Sequence, residues 1–316
     1  SNYTLGVPTF TITQRVLSST GSRQYDATTT AANADQTLSG LQGGETLTLG
    51  GSGTVASANV GTGKTITLGS LALSNGTGTA SNYTLTGGTH TLDVTQRVLS
   101  STGSRQYDAT TTAANADQTL SGLQGGETLT LGGSGTVASA NVGTGKTITL
   151  GSLALSNGTG TASNYTLTGG THTLDVTQRV LSSTGSRQYD ATTTAANADQ
   201  TLSGLQGGET LTLGGSGTVA SANVGTGKTI TLGSLALSNG TGTASNYTLT
   251  GGTHTLDVTQ RVLSSTGSRQ YDATTDAAAS DITLSGLQGG ETLTLGGTAP
   301  YLQLTSLVIM LSLSAH

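Results

Sequence analysis

The chain has 316 residues, of which 49 are Gly, none is Cys and only 9% are charged, with a formal net charge of −5. The lack of Cys excludes a disulfide framework and a thiolate metal site. The scarcity of Lys and Arg leaves no electrostatic footprint for nucleic acid, and no apolar run reaches the ~20 residues needed for a membrane span.

Repetition organises the chain. Residues 1–5 match 81–85, so 1–13 read as the tail of a preceding repeat. Residues 14–95 recur unchanged as 96–177 and again as 178–259, a period of 82. A fourth copy, 260–297, differs at Asp276, Ala279, Ser280 and Ile282 and is truncated. Residues 298–316 diverge, and the apolar stretch 307–311 within them is too short to span a bilayer. The whole reads as a piece of a longer tandem array.

Within one repeat the pattern predicts β structure in chain order. The first strand is expected over 15–19, and others over 45–49, 64–68, 83–86 and 89–94. In the last four, Thr alternates with Leu, Ile, Val or Tyr, the period of a half-buried strand. Thr is β-branched and suits a pleated, half-exposed surface. Gly43-Gly44, Gly50-Gly51, Gly61, Gly63, Asn75-Gly76 and Gly87-Gly88 supply the breaks, with Asn75-Gly76 a favoured tight-turn pair. Seven or eight short strands per repeat, at this turn spacing, predict all-β, Ig-like sandwich modules, one per period, arranged end to end. Fewer than one residue in five of a repeat is Leu, Ile or Val, so the core is thin and each repeat is expected to lean on its neighbours. Tyr25 and Tyr83 are read as core anchors with hydroxyls reaching a partner. The alternative fold is a β-solenoid, because Thr-x-Thr runs begin at 46, 65 and 84, a spacing of 19.

Four landmarks recur in the same order: Arg23-Gln24-Tyr25-Asp26-Ala27-Thr28-Thr29, Gly43-Gly44-Glu45, Asn59-Val60-Gly61-Thr62-Gly63-Lys64-Thr65 and Ala80-Ser81-Asn82-Tyr83-Thr84-Leu85. Together they resemble the YDG domain family and the related MBG domains. These are tandem modules of large secreted bacterial surface proteins, including filamentous-haemagglutinin-like adhesins. The resemblance covers nearly the whole chain. It implies an extracellular stalk or adhesin repeat at the bacterial cell surface, without enzymatic activity. It also marks Tyr25, Asp26, Asn59, Gly61, Gly63, Lys64, Asn82 and Tyr83 as motif residues with a structural role. The family's namesake Gly is Ala27 here. If that position needs positive φ, either Ala27 is strained or the turn differs.

Reactive motifs are near misses. Residues 58–65 approach a phosphate-binding loop, but Ala58 replaces the first Gly and a strand pattern follows where a helix is required. Lys64 then opens a strand and keeps its ammonium in water. Residues 49–54 approach a nucleophile elbow but place Thr54 where Gly is needed. His90 is the one His of the repeat and reads as a solvated side chain rather than a partner of Asp93 in catalysis. Asp26, Asp35 and Asp93, with Glu45, are the candidate oxygen ligands for Ca²⁺, the one cofactor the composition leaves open; no Asp-rich calcium loop accompanies them.

The leading functional expectation is therefore mechanical: a stalk whose partners are the neighbouring repeats. Host or surface glycans and proteins would be reached through regions outside these residues. Two alternatives are a Thr-rich solenoid with an ice- or surface-binding face, and a multivalent carbohydrate-binding array gaining avidity from identical copies.

Overall fold

The structure, a computed structural model, describes residues 2–300; most of the divergent tail, including 307–311, lies outside the described residues. The alternation of Thr with apolar residues produces strands throughout, and there is no α-helix among the described residues. No helix among them is long and apolar enough to cross a membrane.

The first repeat holds ten short strands: β1 (Arg15–Val16), β2 (Ser18–Gln24), β3 (Thr30–Ala32), β4 (Gln36–Ser39), β5 (Leu47–Gly50), β6 (Ser52–Val55), β7 (Gly61–Thr67), β8 (Ala72–Asn75), β9 (Tyr83–Thr84) and β10 (His90–Thr95). Two 3-10 turns, Asn33–Asp35 and Ala80–Asn82, interrupt them. The same set recurs, one period later each time, in the next two repeats. Period-two burial is clearest in β10, where His90, Leu92 and Val94 face inward.

Six strands form one mixed sheet in the order β3-β6-β7-β10-β2-β4. At its centre β10 runs parallel to β2, in register from His90↔Ser19 to Thr95↔Gln24, and antiparallel to β7. Two ribbons complete the repeat: β1 parallel to β9, and β5 antiparallel to β8. The edge strands β3 and β4 are joined only by the turn Asn33–Asp35. Laid flat, six strands would hold their edges about 24 Å apart, whereas the four Cα steps from Ala32 to Gln36 reach at most about 14 Å. The sheet therefore curls into a half-barrel. The joining turn crosses β2 at Gly21, where a Cβ would lie 2.1 Å from the carbonyl oxygen of Asp35. Glycine in mid-strand is here a requirement of close approach.

Leu17, Ala31 and Leu92 are fully buried inside the curl, with Val94, Tyr25, Val55, Ile66, Tyr83, Leu85 and Leu71 around them. Leu47 and Leu49, on the β5–β8 ribbon, are only half-buried.

Several local expectations shift. The strand expected over 15–19 is broken at Leu17 into β1 and β2, and the strand count rises to ten. Gly61 and Gly63, read as turn positions, lie inside β7. Gly63 has φ +60 where the β7–β10 register slips between Leu92 and Val94, so its conformational freedom serves a bulge rather than a turn. Asn75-Gly76 makes no tight hairpin turn: Gly76 is not at positive φ, and the Asn75 side-chain oxygen instead accepts from the Ala80 amide at 2.8 Å. The Thr-x-Thr runs at 46, 65 and 84 fall in three different sheets and are not hydrogen-bonded to one another.

The chain divides into two compact units, residues 1–105 with 110–176, and 106–109 with the residues from 177 onward. In the first, residues 2–13 form no strand, and Tyr3, Leu5, Val7, Phe10 and Ile12 are exposed. In the second, the truncated repeat keeps two antiparallel strand pairs, Ser264–Gly267 with Ile282–Ser285 and Asp276–Ala278 with Thr298–Pro300. It lacks counterparts of β7 and β10 among the described residues. No residue after Val258 is buried among those described, and Tyr271 is 92% exposed where Tyr25 is 3%.

Substituting Gly21→Ala tests the curl. We expect a loss of about 1–3 kcal/mol from overpacking against backbone, measured by denaturant melts. Thr20→Ala, at the exposed neighbouring position, should stay within about 0.5 kcal/mol.

Candidate functional site: a tyrosine–glutamate clamp between repeats

The loop that follows β2 is built from its own polar residues. The Asp26 carboxylate accepts from the Thr28 amide and hydroxyl, both at 2.9 Å, and pairs with Arg23. Arg23 also donates to the Thr28 hydroxyl at 3.0 Å and to its carbonyl at 2.6 Å. Ala27 sits at φ 64, with Ala109, Ala191 and Ala273 alike. Alanine thus occupies the left-handed region, at a cost of about 1–2 kcal/mol. Tyr25 stands at the start of this turn, its amide bonded to the Thr95 carbonyl at 2.9 Å.

The turn delivers Tyr25 to the following repeat. Its hydroxyl donates to Glu127 Oε1 at 2.6 Å, and the Tyr165 hydroxyl donates to Glu127 Oε2, also at 2.6 Å. One carboxylate therefore receives a tyrosine from each of two repeats, by charge-assisted bonds. The two rings meet edge to face, with centroids 5.2 Å apart and planes at 78°, a geometry worth about 0.5–1.5 kcal/mol beyond burial. Beside them Asn164 accepts from the Val60 amide and donates to Asn59 Oδ1, each at 2.9 Å. The Ala27 methyl abuts Gly125, where an added Cβ would stand 3.0 Å from it.

The second unit repeats the arrangement with Tyr107, Glu209 and Tyr247, at 2.6 Å for both hydroxyl bonds and 5.2 Å between rings. Identical sequence in different surroundings isolates the effect of the neighbour. Asn164 and Asn246 are each 1% exposed, while Asn82, with no complete repeat before it in this chain, is exposed. Tyr25 and Tyr107 are buried, while Tyr189, followed by the truncated copy, is half-exposed and still bonds Glu291.

Burial, then the hydrogen bond to Glu127, pushes the Tyr25 hydroxyl up to about 12 from 10.0. Tyr107 rises to about 12 for the same reasons, with Glu209 as acceptor. Burial first also raises Tyr165 and Tyr247. For Tyr83 and Tyr189 the bond to Glu45 or Glu291 is the leading cause of the rise.

The motif residues Tyr25, Asn59 and the equivalents of Asn82 and Tyr83 thus converge on one junction. Sequence reasoning misses its hub: Glu45, with its copies Glu127 and Glu209, reads there only as a landmark and a candidate metal ligand. The available signal is a carboxylate placed directly after Gly43-Gly44 in a repeat whose two tyrosines both need a hydroxyl partner.

Asp26, Asp35 and Asp93 are not brought together. Asp26 is committed to Arg23 and Thr28, Asp35 lies in the 3-10 turn, and Asp93 Oδ1 accepts from the Gly63 amide at 2.6 Å. No group of three His, Asp or Glu among the described residues is placed to hold a metal ion. Gly61, Gly63 and Lys64 lie in β7, so the phosphate-loop-like segment leads into a strand. Lys64 is not simply solvated as expected: its ammonium donates to the Ser57 carbonyl at 2.8 Å, tying the preceding bend to the strand. In the second copy, Lys146 donates to the Ser139 and Asn141 carbonyls, and burial lowers its pKa.

His90 also departs from expectation. It is 5% exposed rather than solvated, because the alternation of β10 turns it inward. Its Nε2–H donates to the Leu85 carbonyl at 2.9 Å, which leaves Nδ1 facing the Ser19 hydroxyl at 2.9 Å. Ser19 is 1% exposed, so this pair offers a substrate no approach; it satisfies polar groups inside the core.

Two measurements check the clamp. Tyr25→Phe should cost about 1.5–3 kcal/mol, the net worth of one hydrogen bond to a charged group, whereas Tyr271→Phe should be silent in the same melts. For pH, folding raises the Tyr25 and Tyr107 pKa values from 10.0 to about 12. The neutral hydroxyl is favoured by the fold, so this stability is complete below pH 10 and is lost as pH rises through about 12. Ultraviolet titration of the nine tyrosines should show a late-ionising class whose transition coincides with loss of β-sheet circular dichroism.

A family model described as the YDG domain matches residues 9–92, 90–174 and 173–256. No curated protein and no solved structure gives a significant match. The three consecutive matches cover most of the chain, with each frame containing the Tyr-Asp turn, the Gly-Gly-Glu acceptor and the Asn-Tyr pair that build the clamp. The chain belongs to the YDG domain family, as a tandem array of at least three such domains.

Proposed function

We propose that this chain is a repeat region of an extracellular bacterial adhesin or surface filament, a stalk that carries a binding tip away from the cell or builds matrix. The observation that carries the reading is the clamp itself: an identical asparagine goes from exposed at Asn82 to 1% exposed at Asn164 when a complete repeat precedes it. A module that buries residues of its own motif against the next copy gains cohesion from serial duplication.

On this reading each repeat is a separate sandwich-like module joined end to end, and the Thr-x-Thr runs are strands of one module rather than coils of a solenoid. The repeats perform no catalysis and require no cofactor. Their partners are one another, and recognition of host or surface glycans and proteins belongs to other parts of the molecule. The junction supports limited bending: β10 ends at Thr95, and one residue, Gln96, separates it from the next strand at Arg97, too little chain for a flexible linker.

Small-angle scattering on chains of two, three and four repeats provides the test. The maximum dimension should grow by a nearly constant increment per repeat. A dimension that levels off as repeats are added would reject the stalk.

A further inference from the structure

We infer that each repeat is a force-bearing clamp, in which tension along the chain loads β2 against β10 in shear. The inference deepens the stalk reading and rests on it for biological meaning, but its geometry is independent of that reading.

The chain enters the first repeat at β1 and β2 and leaves it directly after β10. These first and last strands are neighbours, parallel, and paired over six residues. Pulling the chain draws β2 by its N-terminal end and β10 by its C-terminal end, in opposite directions. Side-by-side parallel strands pulled this way cannot unzip bond by bond; the whole ladder must lengthen together. The bonds that must fail include Leu17 N–H to the Thr84 carbonyl at 2.8 Å, Ser19 N–H to Thr89 at 3.0 Å and Tyr25 N–H to Thr95 at 2.9 Å. The Thr95 hydroxyl adds a bond to the Arg23 carbonyl at 3.2 Å.

Three further features oppose sliding. The β1–β9 pairing, also parallel, extends the shear interface toward the entry point. The pair sits in the middle of the sheet, flanked by β7 and β4, so neither strand is an edge. A slip of one residue would turn His90, Leu92 and Val94 out of the core. The third repeat has the same register, Ser183↔His254 to Gln188↔Thr259, and the same flanking bonds. The truncated copy has no counterpart of β10 among the described residues and carries no such clamp.

Because forced rupture follows the unfolding barrier rather than equilibrium stability, the test is direction of pull. The chain has no Cys, so thiol handles can be placed at will in the 316-residue chain. Gln14→Cys with Gln96→Cys pulls the first repeat in shear. Gln24→Cys with Gln96→Cys grips both C-terminal strand ends and unzips the same ladder. All three positions are exposed. We expect a several-fold higher rupture force in the first geometry, with both variants melting like the unaltered chain. The unaltered chain pulled from its ends supplies a second measurement that needs no variant at the strands. It should give three matching peaks, each releasing roughly 290 Å of contour before the folded span is subtracted. Equal forces in the two geometries, or end-to-end traces without three matching peaks, would overturn the clamp. Neither result bears on the scattering increments, so failure here leaves the stalk reading standing, and failure there leaves the clamp.

Discussion

Parallel pairing of the first and last long strands is the constraint on which the rest of each repeat depends. β2 and β10 lie far apart in the chain, as the buried contact between Ser19 and His90 shows with a separation of 71. No smaller piece of the repeat can form this pair. Once formed, it fixes the neighbours on both sides, and the short turn between β3 and β4 then forces the sheet to curl. The half-barrel in turn creates the inside that Leu17, Leu92 and Val94 occupy. Such non-local pairing is entropically costly to reach. In an array of identical copies, β2 of one repeat and β10 of another are chemically indistinguishable from the correct pair. Selection of the proper partner rests on chain proximity, not on sequence.

The core is thin, and the molecule compensates by burying groups that are only partly apolar. Tyr25 and Tyr83 contribute large rings, and their hydroxyls are carried to a glutamate rather than left unpaired. His90 and Ser19 satisfy each other and the Leu85 carbonyl inside the sheet. The cost is directional: these buried hydroxyl and imidazole groups must each meet a partner, so the core tolerates little rearrangement.

Much of this is legible in the sequence, for identifiable reasons. The repeat period, the strand alternation and the role of the tyrosines as anchors are local or repetitive signals. The parallel partnership of β2 and β10 is not legible, because nothing in a strand's own pattern names its neighbour. Gly63 reads as a turn because positive φ serves bulges and turns alike. His90 reads as a solvated side chain beside Gly-Gly in a Thr-rich strand, whereas it opens the inward face of β10 with Leu92 and Val94. Glu45 is easily underrated because its importance arises only when the preceding repeat brings a second tyrosine to its copies.

Four copies of one turn in unequal surroundings separate local from non-local determinants. Around Tyr271 the core is absent and the ring is 92% exposed. Yet Arg269 still pairs with Asp272, the Thr274 amide still bonds the Asp272 carboxylate at 3.0 Å, and Ala273 still holds φ 67. The turn is therefore written into its own short segment and needs no tertiary support. Burial of the tyrosine it carries is not: that is granted only by the glutamate and asparagine of a following repeat. The loop is prepared before its partner arrives, so little ordering entropy remains to be lost when the junction closes. A pre-formed projection meeting a surface that is complete only in the next copy is how a module with a marginal core adds cohesion by repetition.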